Sequence, residues 1–212
     1  KLAETTYRDV NIAFANELAI VAERHGLDIG PVIQASNSQP YSHIHSPGIS
    51  VGGHCIPVYP HFLLAGAPEA RLPAVARQIN DAMPAHAVSR LEGAMGALRG
   101  LRVAVLGLAY RGGVREHAFS GAYDVVRALE ALGAVALVHD PLYSSQEIAG
   151  FGLEPYALGE PCAAAILHTD HLDYRTLDAS AIPGVEVVVD GRGVLDPSNW
   201  SGVRLLHIGT AG

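Results

Sequence analysis

The chain has 212 residues, of which 49% are apolar and 17% charged, so a disordered chain is excluded and one large or two small domains are expected. A formal charge of −7 without a basic stripe argues against nucleic acid as a partner. No apolar run reaches the ~20 residues that cross a bilayer, and no secretory signal precedes the first helical pattern.

The first part of the chain is predicted to be helical. Residues 1–24 carry apolar side chains at helical spacing, and residues 28–36 form a second short pattern with Asp28 as its N-cap. From 37 to 60 the periodicity disappears, while proline, glycine and histidine accumulate. An irregular stretch of this length inside a compact region is typical of a functional loop.

The second part of the chain follows a different pattern. Helical character returns over 61–98, with interruptions expected at Pro68, Pro73 and Pro84. Short apolar strands then alternate with helical patterns, of which the clearest covers about 120–132. The predicted strands are 101–106, 134–138, 162–168, 185–190 and 203–208. This alternation predicts an α/β fold, with a helical domain over 1–99 and a parallel-sheet domain over 100–212.

The segment Pro47–Pro57 (PGISVGGHCIP) carries the strongest chemical signal. Gly52 and Gly53 permit backbone conformations closed to other residues, and a ligand can approach the main chain there. Cys55 follows this turn and is a candidate nucleophile, because exposed amides can stabilise a thiolate and an oxyanion. The alternative is an ordinary small apolar side chain. Cys162 is far away in sequence, so the two cysteines favour a reduced, cytoplasmic setting over a disulfide framework.

Five stretches of the chain resemble the UDP-glucose/GDP-mannose dehydrogenase family, in family order and over essentially the whole length. They are Lys1–Leu18 (the central helix), Gly52–Pro57 (the active-site signature), Val105–Arg111 (the start of the C-terminal domain), Ala164–Asp178 and Val188–Arg192. The lead-in His45–Gly48 and the run Cys55–Pro57 look closest to the branch that oxidises UDP-N-acetylhexosamines.

The resemblance implies an NAD-dependent oxidation of the sugar C6 alcohol to a carboxylate, with two hydride transfers. Cys55 is then the nucleophile, which adds to the aldehyde as a thiohemiacetal that is oxidised to a thioester and hydrolysed. Lys1 falls on the family's active-site lysine, whose ammonium would stabilise an oxyanion or help to move protons. The implied partners are a UDP-sugar substrate and a second copy of the chain, bound through the central helices.

Three positions depart from the family pattern. Thr5 stands in place of an asparagine, although its hydroxyl can still hydrogen-bond an oxyanion or a water molecule. Tyr59 stands in place of an aspartate, which removes a carboxylate from water activation, and Tyr41 aligns with an arginine. The loop residues Gly48, Gly52, Gly53 and Tyr59 are predicted to contact the substrate. We therefore predict a divergent enzyme, with a non-catalytic UDP-sugar-binding module as the alternative.

The loop Gly107–Gly113 only partly matches the dinucleotide fingerprint, because its glycines are not spaced as G-x-G. The resemblance makes the second domain a Rossmann-like one that binds the UDP end of the substrate. Arg111 replaces a family lysine and Arg192 follows a strand, so both are candidates for phosphate binding, with a solvated surface charge as the alternative. Asp140 ends another strand and is either a ribose carboxylate or a turn residue.

Three histidines, His43, His45 and His54, surround the cysteine loop, and three imidazoles could bind zinc. No further ligand follows at finger spacing, and the resemblance supplies no metal. We therefore predict no metal site and expect His54 to order the loop. An NAD-binding domain of the family's kind would precede Lys1, so the chain is expected to be a fragment that cannot turn over alone.

Overall fold

A computed structural model describes residues 1–211 of the protein. Its first half is a layer of four helices. They are α1 (Leu2–Arg24), α2 (Ile29–Ser36), α3 (Tyr59–Gly66) and α4 (Arg71–Met95). α1 and α4 pack along each other, and buried alanines such as Ala15, Ala19 and Ala87 permit their close approach. The Asp28 carboxylate caps α2 by accepting a hydrogen bond from the Gly30 amide at 2.8 Å, so the two predicted N-terminal helices are confirmed.

Prolines interrupt the helical layer less than the sequence indicates. The chain does leave the helical conformation around Pro68, as predicted, but α4 runs through Pro73 and Pro84 without a break, so the interruptions expected there are wrong. Pro73 is in the first turn of α4, where a backbone N–H has no partner within the helix. Pro84 lies inside the helix and is buried, so we attribute its tolerance to packing that offsets the lost hydrogen bond.

The second half of the chain is a five-stranded sheet with the order β2-β1-β3-β4-β5. The strands are β1 (Arg102–Leu106), β2 (Val135–His139), β3 (Ala164–Leu167), β4 (Val187–Asp190) and β5 (Arg204–His207). Every pairing is parallel, which confirms the predicted α/β class. All residues of β3 and β4 are buried, as expected for parallel strands covered on both faces.

The connections between the strands differ from one another. α5 (Ala122–Ala131) lies between β1 and β2, as predicted. α6 (Ser145–Gly150) follows β2 and begins with a capping box formed by Ser144 and Glu147, a short signal that the helical periodicity does not reveal. After β3 and β4 the expected crossover helices are replaced by 3₁₀ turns: Leu172–Thr176, Ala179–Ala181 and Pro197–Trp200. These turns bury Tyr174 and Trp200 against the sheet.

One hydrophobic core joins the helical layer to the sheet. Met83 and Leu91 of α4 are fully buried in the same cluster as Val105 of β1 and Val189 of β4. This packing fixes the helical layer, and the irregular segment between α2 and α3, relative to the carboxyl ends of the strands. None of the helices within residues 1–211 combines the length and the apolar composition needed to cross a membrane.

Candidate functional site

A cleft of about 580 Å³ lies where the segment between α2 and α3 meets the carboxyl ends of the parallel strands. In this strand order the chain leaves β1 and β3 in opposite directions, and open α/β sheets bind ligands at such a point. Six of the nine residues that the sequence predicts for a site line the cleft: Gly48, Gly52, Gly53, Cys55, Arg111 and Arg192. The other three, Lys1, Thr5 and Tyr59, do not line it.

Asparagine side chains hold the irregular segment in place. Asn11 of α1 accepts a hydrogen bond from the His45 amide at 2.9 Å, and Asn16 accepts one from the Gly48 amide at 2.9 Å. The Asn16 side chain also donates to the buried Asn80 of α4 at 2.9 Å. These bonds supply the partners that an irregular backbone lacks, and they present the segment to the cleft.

Gly52 and Gly53 pack directly against Tyr110, which belongs to the loop after β1. A Cβ atom on Gly52 would lie 2.7 Å from the Tyr110 Cβ, and one on Gly53 would lie 3.0 Å from the Tyr110 ring. Gly53 also has a φ of +91°, in the region that favours glycine. The two glycines therefore allow the cysteine loop to close onto the sheet side of the cleft.

Cys55 lies in this turn with its side chain partly exposed to the cleft. Its carbonyl accepts hydrogen bonds from the amides of Val58 at 3.3 Å and Tyr59 at 2.9 Å, which fix its backbone at the start of α3. Cys162 is also a free thiol, but it is buried in the apolar cluster with Tyr156, and burial raises the pKa of its thiol. The two cysteines therefore differ in access to solvent and ligands.

His54 connects the cysteine loop to the loop after β1. Its ring lies 3.3 Å from the Glu116 carboxylate and edge-on to Phe119, with 5.7 Å between the ring centroids. Two hydrogen bonds lower the pKa of the Glu116 carboxyl. The one from the Ala118 amide has the larger effect, and the one from His54 has the smaller. In the described part of the chain, residues 1–211, no three His, Cys, Asp or Glu side chains are grouped so that they could hold a metal ion.

Lys1, the N-cap residue of α1, and Thr5 in the first turn lie beside the cleft. The Lys1 ammonium lies 5.8 Å from the centroid of the Tyr59 ring, a cation–π distance, and 3.4 Å from the Glu4 carboxylate. Thr5 is buried, and its hydroxyl donates to the Lys1 carbonyl at 2.8 Å. The site roles of Lys1, Thr5 and Tyr59 remain predictions, and the Thr5 hydroxyl faces its own helix.

Three guanidinium groups line the cleft, from Arg8, Arg111 and Arg192. Arg192 lies 3.5 Å from the Asp170 carboxylate, whereas Arg8 and Arg111 form no ion pair within the described residues. Burial would raise the pKa of Asp170, but the charge of Arg192 and a backbone amide outweigh it and lower the pKa. The excess of positive charge suits an anionic ligand.

Arg8 is a cleft residue that the sequence analysis missed, although helical periodicity contains the signal. Positions 1, 5, 8 and 12 share one face of an α-helix. Arg8 and Ile12 both line the cleft, one and two turns beyond Thr5. The family pattern marks only Lys1 and Thr5 on that face, whereas the cleft extends further along it.

Two buried carboxylates shape the turns at the strand ends. Asp190 ends β4 and accepts hydrogen bonds of 2.8 to 2.9 Å from four following amides, those of Arg192, Gly193, Val194 and Leu195. Asp140 follows β2 and accepts from the amides of Leu108 at 2.7 Å and Ala109 at 2.8 Å. Burial acts to raise the pKa of each carboxyl, but hydrogen bonds from a histidine ring and from these amides lower it overall. Asp140 is therefore a turn residue and not a ribose ligand.

Ser50 of the cleft wall is bonded to a fully buried histidine. Its hydroxyl lies 2.8 Å from Nε2 of His168, whose Nδ1 lies 3.1 Å from the Gly107 carbonyl. Nδ1 must donate to that carbonyl, so Nε2 accepts from the Ser50 hydroxyl. Burial, together with the charge of Arg192, lowers the pKa of His168 to about 3. Such a ring takes no proton at neutral pH, so the pair is a fixed contact across the cleft and not a catalytic dyad.

The loop after β1 does not have the geometry of a dinucleotide-binding turn. Residues 107–121 separate β1 from α5, whereas the fingerprint leads straight from strand to helix. A Cβ atom on Gly107 would lie 2.2 Å from the Thr169 Cβ, so this glycine serves close packing and leaves no space for a pyrophosphate. The residues at this strand therefore do not fit a dinucleotide.

The fold and the cleft together define a class of protein. A partly exposed thiol lies on a glycine turn, and guanidinium groups stand at the carboxyl ends of a parallel sheet. This is an α/β protein suited to hold an anionic ligand with its reacting group beside a cysteine.

The chain belongs to the UDP-glucose/GDP-mannose dehydrogenase family. Residues 1–83 match the central domain of that family, and residues 104–197 match its UDP binding domain. The resemblance seen in the sequence is thereby confirmed.

Relatives of known name agree with this assignment. The chain is 35% identical to the NDP-N-acetyl-D-galactosaminuronic acid dehydrogenase of Ralstonia solanacearum, over 97% of this chain and 48% of the relative. It is also 35% identical to the UDP-N-acetyl-D-mannosamine dehydrogenase of Pyrococcus horikoshii, over 92% of this chain and 47% of the relative. The chain thus spans about half the length of the curated relatives that it matches.

Solved structures give the same result. The UDP-D-ManNAc dehydrogenase of Pyrococcus horikoshii superposes with a TM-score of 0.82 at 33% identity, over 99% of this chain and 50% of that one. A UDP-glucose dehydrogenase of Pyrobaculum islandicum superposes with a TM-score of 0.86 at 27% identity, over 100% of this chain and 50% of that one.

Proposed function

We propose that the protein is the central and UDP-binding part of an NAD-dependent UDP-sugar 6-dehydrogenase. The observation that carries this proposal is a single cleft that holds both the Cys55 thiol and the guanidinium groups of Arg111 and Arg192. Similar proteins are named as dehydrogenases of UDP- or NDP-linked N-acetylhexosamine compounds, which supports a UDP-N-acetylhexosamine as the substrate. Arg111 and Arg192 would bind the diphosphate, and the sugar C6 would face Cys55.

In this proposal the chain binds the substrate and forms a covalent bond to its C6. NAD, when bound mainly by residues outside this chain, supplies the oxidising power that converts an alcohol to an acid. The Cys55 thiolate adds to the C6 aldehyde carbon and forms a C–S bond, and the carbonyl oxygen becomes an oxyanion that takes up a proton. Once the carbon is at the oxidation level of an acid, water cleaves the C–S bond and restores the thiol.

Lys1 is the group that we propose for oxyanion stabilisation, because its ammonium stands beside Tyr59, whose amide is bonded to the Cys55 carbonyl. Thr5 stays a predicted site residue without geometric support, since its hydroxyl donates to the Lys1 carbonyl. Tyr59 and the glycines Gly48, Gly52 and Gly53 form the loop that we propose to face the substrate.

Thiol labelling tests the role of Cys55. We expect iodoacetamide to alkylate Cys55 faster than Cys162, because Cys162 is buried and burial raises the pKa of its thiol. UDP-N-acetylglucosamine or UDP-N-acetylmannosamine should slow the labelling of Cys55, and mass spectrometry of the two peptides measures both rates. Cys55→Ser and Cys162→Ser are the matched controls. Equal rates, or no protection of Cys55, would contradict the proposal.

A non-catalytic UDP-sugar-binding module is the second candidate, favoured by Thr5 and Tyr59 at positions where the family pattern has other residues. Turnover distinguishes the two candidates: a longer protein that includes the NAD-binding part should reduce NAD with a UDP-sugar, and its Cys55→Ser variant should not. We propose that the present 212 residues do not turn over alone. Accumulation of NADH from this chain, NAD and UDP-N-acetylglucosamine or UDP-N-acetylmannosamine would refute that point.

We further propose a homodimer formed through the central helices. Tyr7, Phe14 and Val21 of α1 are 62%, 48% and 44% exposed and repeat every seven residues, which gives an apolar stripe along the helix. Light scattering should give the mass of two chains, and Phe14→Glu should shift it towards one. The proposed setting is the reducing cytoplasm, in line with two free cysteines.

A further inference from the structure

Asp170 is the one carboxylate among the described residues, 1–211, that line the cleft, although three guanidinium groups make this cleft suited to an anion. Its side chain is 33% exposed, so its charge is within reach of a bound ligand. Burial acts to raise the pKa of this carboxyl, but the charge of Arg192 and the Gly112 amide lower it overall, so Asp170 is ionised at neutral pH. The roles proposed for Cys55, Arg111 and Arg192 leave this negative charge unexplained.

Asp170 joins the two segments that carry the proposed diphosphate contacts. Its Oδ1 accepts a hydrogen bond from the Gly112 amide at 3.0 Å, one residue after Arg111, and lies 3.5 Å from Nη2 of Arg192. Gly112 permits this approach, because a Cβ atom at that position would collide with the Asp170 carbonyl oxygen. The loop after β1 and the turn after β4 thus meet at one carboxylate, beside the site that we propose for the diphosphate.

The loop after β1 does not need a charge at position 170 to stay in place. The neighbouring His171 is buried, accepts a hydrogen bond from the Gly113 amide at Nδ1 over 3.3 Å, and donates from Nε2 to Asp140 at 3.1 Å. An uncharged ring thus supplies a second attachment for the loop. A side-chain amide oxygen at position 170 could also accept from Gly112. The ionised carboxylate therefore has a consequence beyond holding the loop, and that consequence acts on the ligand.

Free UDP and a UDP-sugar differ in charge at the β-phosphate. In a UDP-sugar this phosphate is a diester with one negative charge, whereas in UDP it is terminal and loses a second proton at about pH 6, as phosphate monoesters do. Coulomb energy is proportional to charge, so guanidinium groups alone would favour UDP. At equal distance, a carboxylate repels the β-phosphate of UDP about twice as strongly as that of a UDP-sugar. Asp170 therefore offsets part of the preference that the arginines create.

We propose that Asp170 determines specificity by lowering the affinity of the cleft for free UDP relative to a UDP-sugar. This inference rests on the proposed function and deepens it, because it states which of two ligands with the same UDP group the cleft selects. A reaction that transfers the sugar of a nucleotide sugar to an acceptor releases the nucleoside diphosphate, so the two ligands occur together. The carboxylate reduces competition from the more highly charged one.

Isothermal titration calorimetry at about pH 8, where the β-phosphate of UDP is fully ionised, tests the proposal without a need for turnover. The ligands are UDP and whichever of UDP-N-acetylglucosamine and UDP-N-acetylmannosamine binds the wild type more tightly. Asp170→Asn keeps an acceptor for the Gly112 amide and removes the charge. We expect it to bind UDP about tenfold and the UDP-sugar about threefold more tightly than the wild type does. The control Asp173→Asn, which removes an exposed carboxylate outside the cleft, should change neither.

Asp170→Ala separates the charge from the positioning of the loop. It also removes the acceptor of the Gly112 amide, so we expect both ligands to bind less tightly than to Asp170→Asn. The gain of UDP relative to the UDP-sugar should nevertheless be about threefold in both variants. A purely structural role predicts otherwise, because a displaced loop weakens both ligands by the same factor and leaves the ratio of their dissociation constants unchanged.

This ratio decides between the outcomes. An unchanged ratio in Asp170→Asn, or a change in favour of the UDP-sugar, would overturn the inference and leave the proposed function standing. A wild type that binds neither UDP nor a UDP-sugar would refute both. Circular dichroism checks folding, and Asp170→Ala decides if Asp170→Asn does not fold, because the expected ratio is the same.

Discussion

The loop that carries Cys55 and the turns at the strand ends face each other across the cleft, and different groups hold them in place. On the helical wall, the neutral side-chain amides of Asn11 and Asn16 bind the main chain of the loop. On the sheet wall, the carboxylates of Asp140 and Asp190 bind the main-chain amides of the turns. Hydrogen bonds to an ionised acceptor are about twice as strong as neutral ones. We therefore expect the sheet wall to be the more rigid and the more sensitive to acid.

The asparagine side chains and the aspartate carboxylates also differ in how many backbone groups each one hydrogen-bonds. Asp190 alone accepts from four consecutive turn amides, so a single side chain determines the whole turn that carries Arg192. Asn16 accepts from Gly48 and donates to Asn80, so it links α4 to the loop at a single backbone amide. The comparison predicts a large local effect on the sheet wall and a smaller, distributed effect on the helical wall.

The largest effect is expected from Asp190→Ala. The change leaves four turn amides without their acceptor, and we expect a loss of about 3 kcal/mol in the free energy of unfolding, measured in urea. Asp196→Ala is the matched control, because that exposed aspartate only caps a 3₁₀ turn by accepting from Ser198. A similar small effect for both variants would show that the buried carboxylate does not determine the turn.

Asn16→Ala tests the helical wall. It leaves the Gly48 amide and the Asn80 side-chain oxygen without their partner in a buried position, and we expect a loss of about 2 kcal/mol in the free energy of unfolding. Amide hydrogen exchange at Gly48 should become faster. Asn11→Ala serves as the comparison, because Asn11 is only partly buried and water can replace it. If Asn11→Ala costs as much as Asn16→Ala, the buried link to α4 is not what holds the loop.

The fold and the cysteine loop can be predicted from the sequence, whereas the hydrogen bonds that hold the two walls of the cleft cannot. Short apolar runs such as Val103–Leu106 identify the strands, because a parallel strand covered on both faces needs no polar residue. The glycine turn before Cys55 is visible because its residues are adjacent. The contact between Asn16 and Gly48 joins positions 32 residues apart, and no local pattern reveals it.

Local patterns also misplace features whose outcome depends on packing. Pro84 reads as a helix interruption, yet it lies within the 25-residue helix α4 because the helix is buried there against α1 and the sheet. From the sequence, Asp140 is equally a ligand or a turn residue. The structure decides for the turn, because the carboxylate accepts hydrogen bonds from the Leu108 and Ala109 amides. Arg8 is a different case, because its place in the cleft could have been predicted: it lies on the same face of the helix as Lys1 and Thr5.

Gly53→Ala tests how closely the two walls must approach. A Cβ atom there would lie 3.0 Å from the Tyr110 ring, and the φ of +91° strains any other residue, so we expect a loss of about 1 to 2 kcal/mol in the free energy of unfolding. The rate of Cys55 alkylation should change as well, because the turn must shift. Gly66→Ala is the control, because nothing lies within 4 Å of a Cβ atom at that position. A variant of Gly53 that matches the control in both measurements would contradict the close-packing role.

The smallest effect, a dependence on pH, separates the two walls most directly. The folded-state pKa of Asp190 is lowered, because hydrogen bonds from His207 and the turn amides outweigh the burial that would raise it. Its contribution to stability is complete above the ordinary Asp pKa of about 3.9 and is lost as the pH falls through the lowered value. Asp190→Asn lacks this contribution, so the stability gap between wild type and variant should stay constant from about pH 6 to about pH 4 and shrink below that. Asp9 titrates in the opposite sense, since burial raises its pKa, but it is present in both proteins and cancels in the difference.

For Asn16→Ala the corresponding gap should change less over the same pH range, because neither the Asn16 side chain nor the Gly48 amide titrates there, and Asn16 reaches the Asp9 carboxyl only through Asn80. Urea unfolding at each pH gives both gaps. If the Asp190 gap stays constant, or the Asn16 gap shrinks with it, the carboxylate and the amide do not hold their walls by different chemistry. If only the Asp190 gap shrinks, acid should loosen the turn that carries Arg192 before it loosens the loop that carries Cys55.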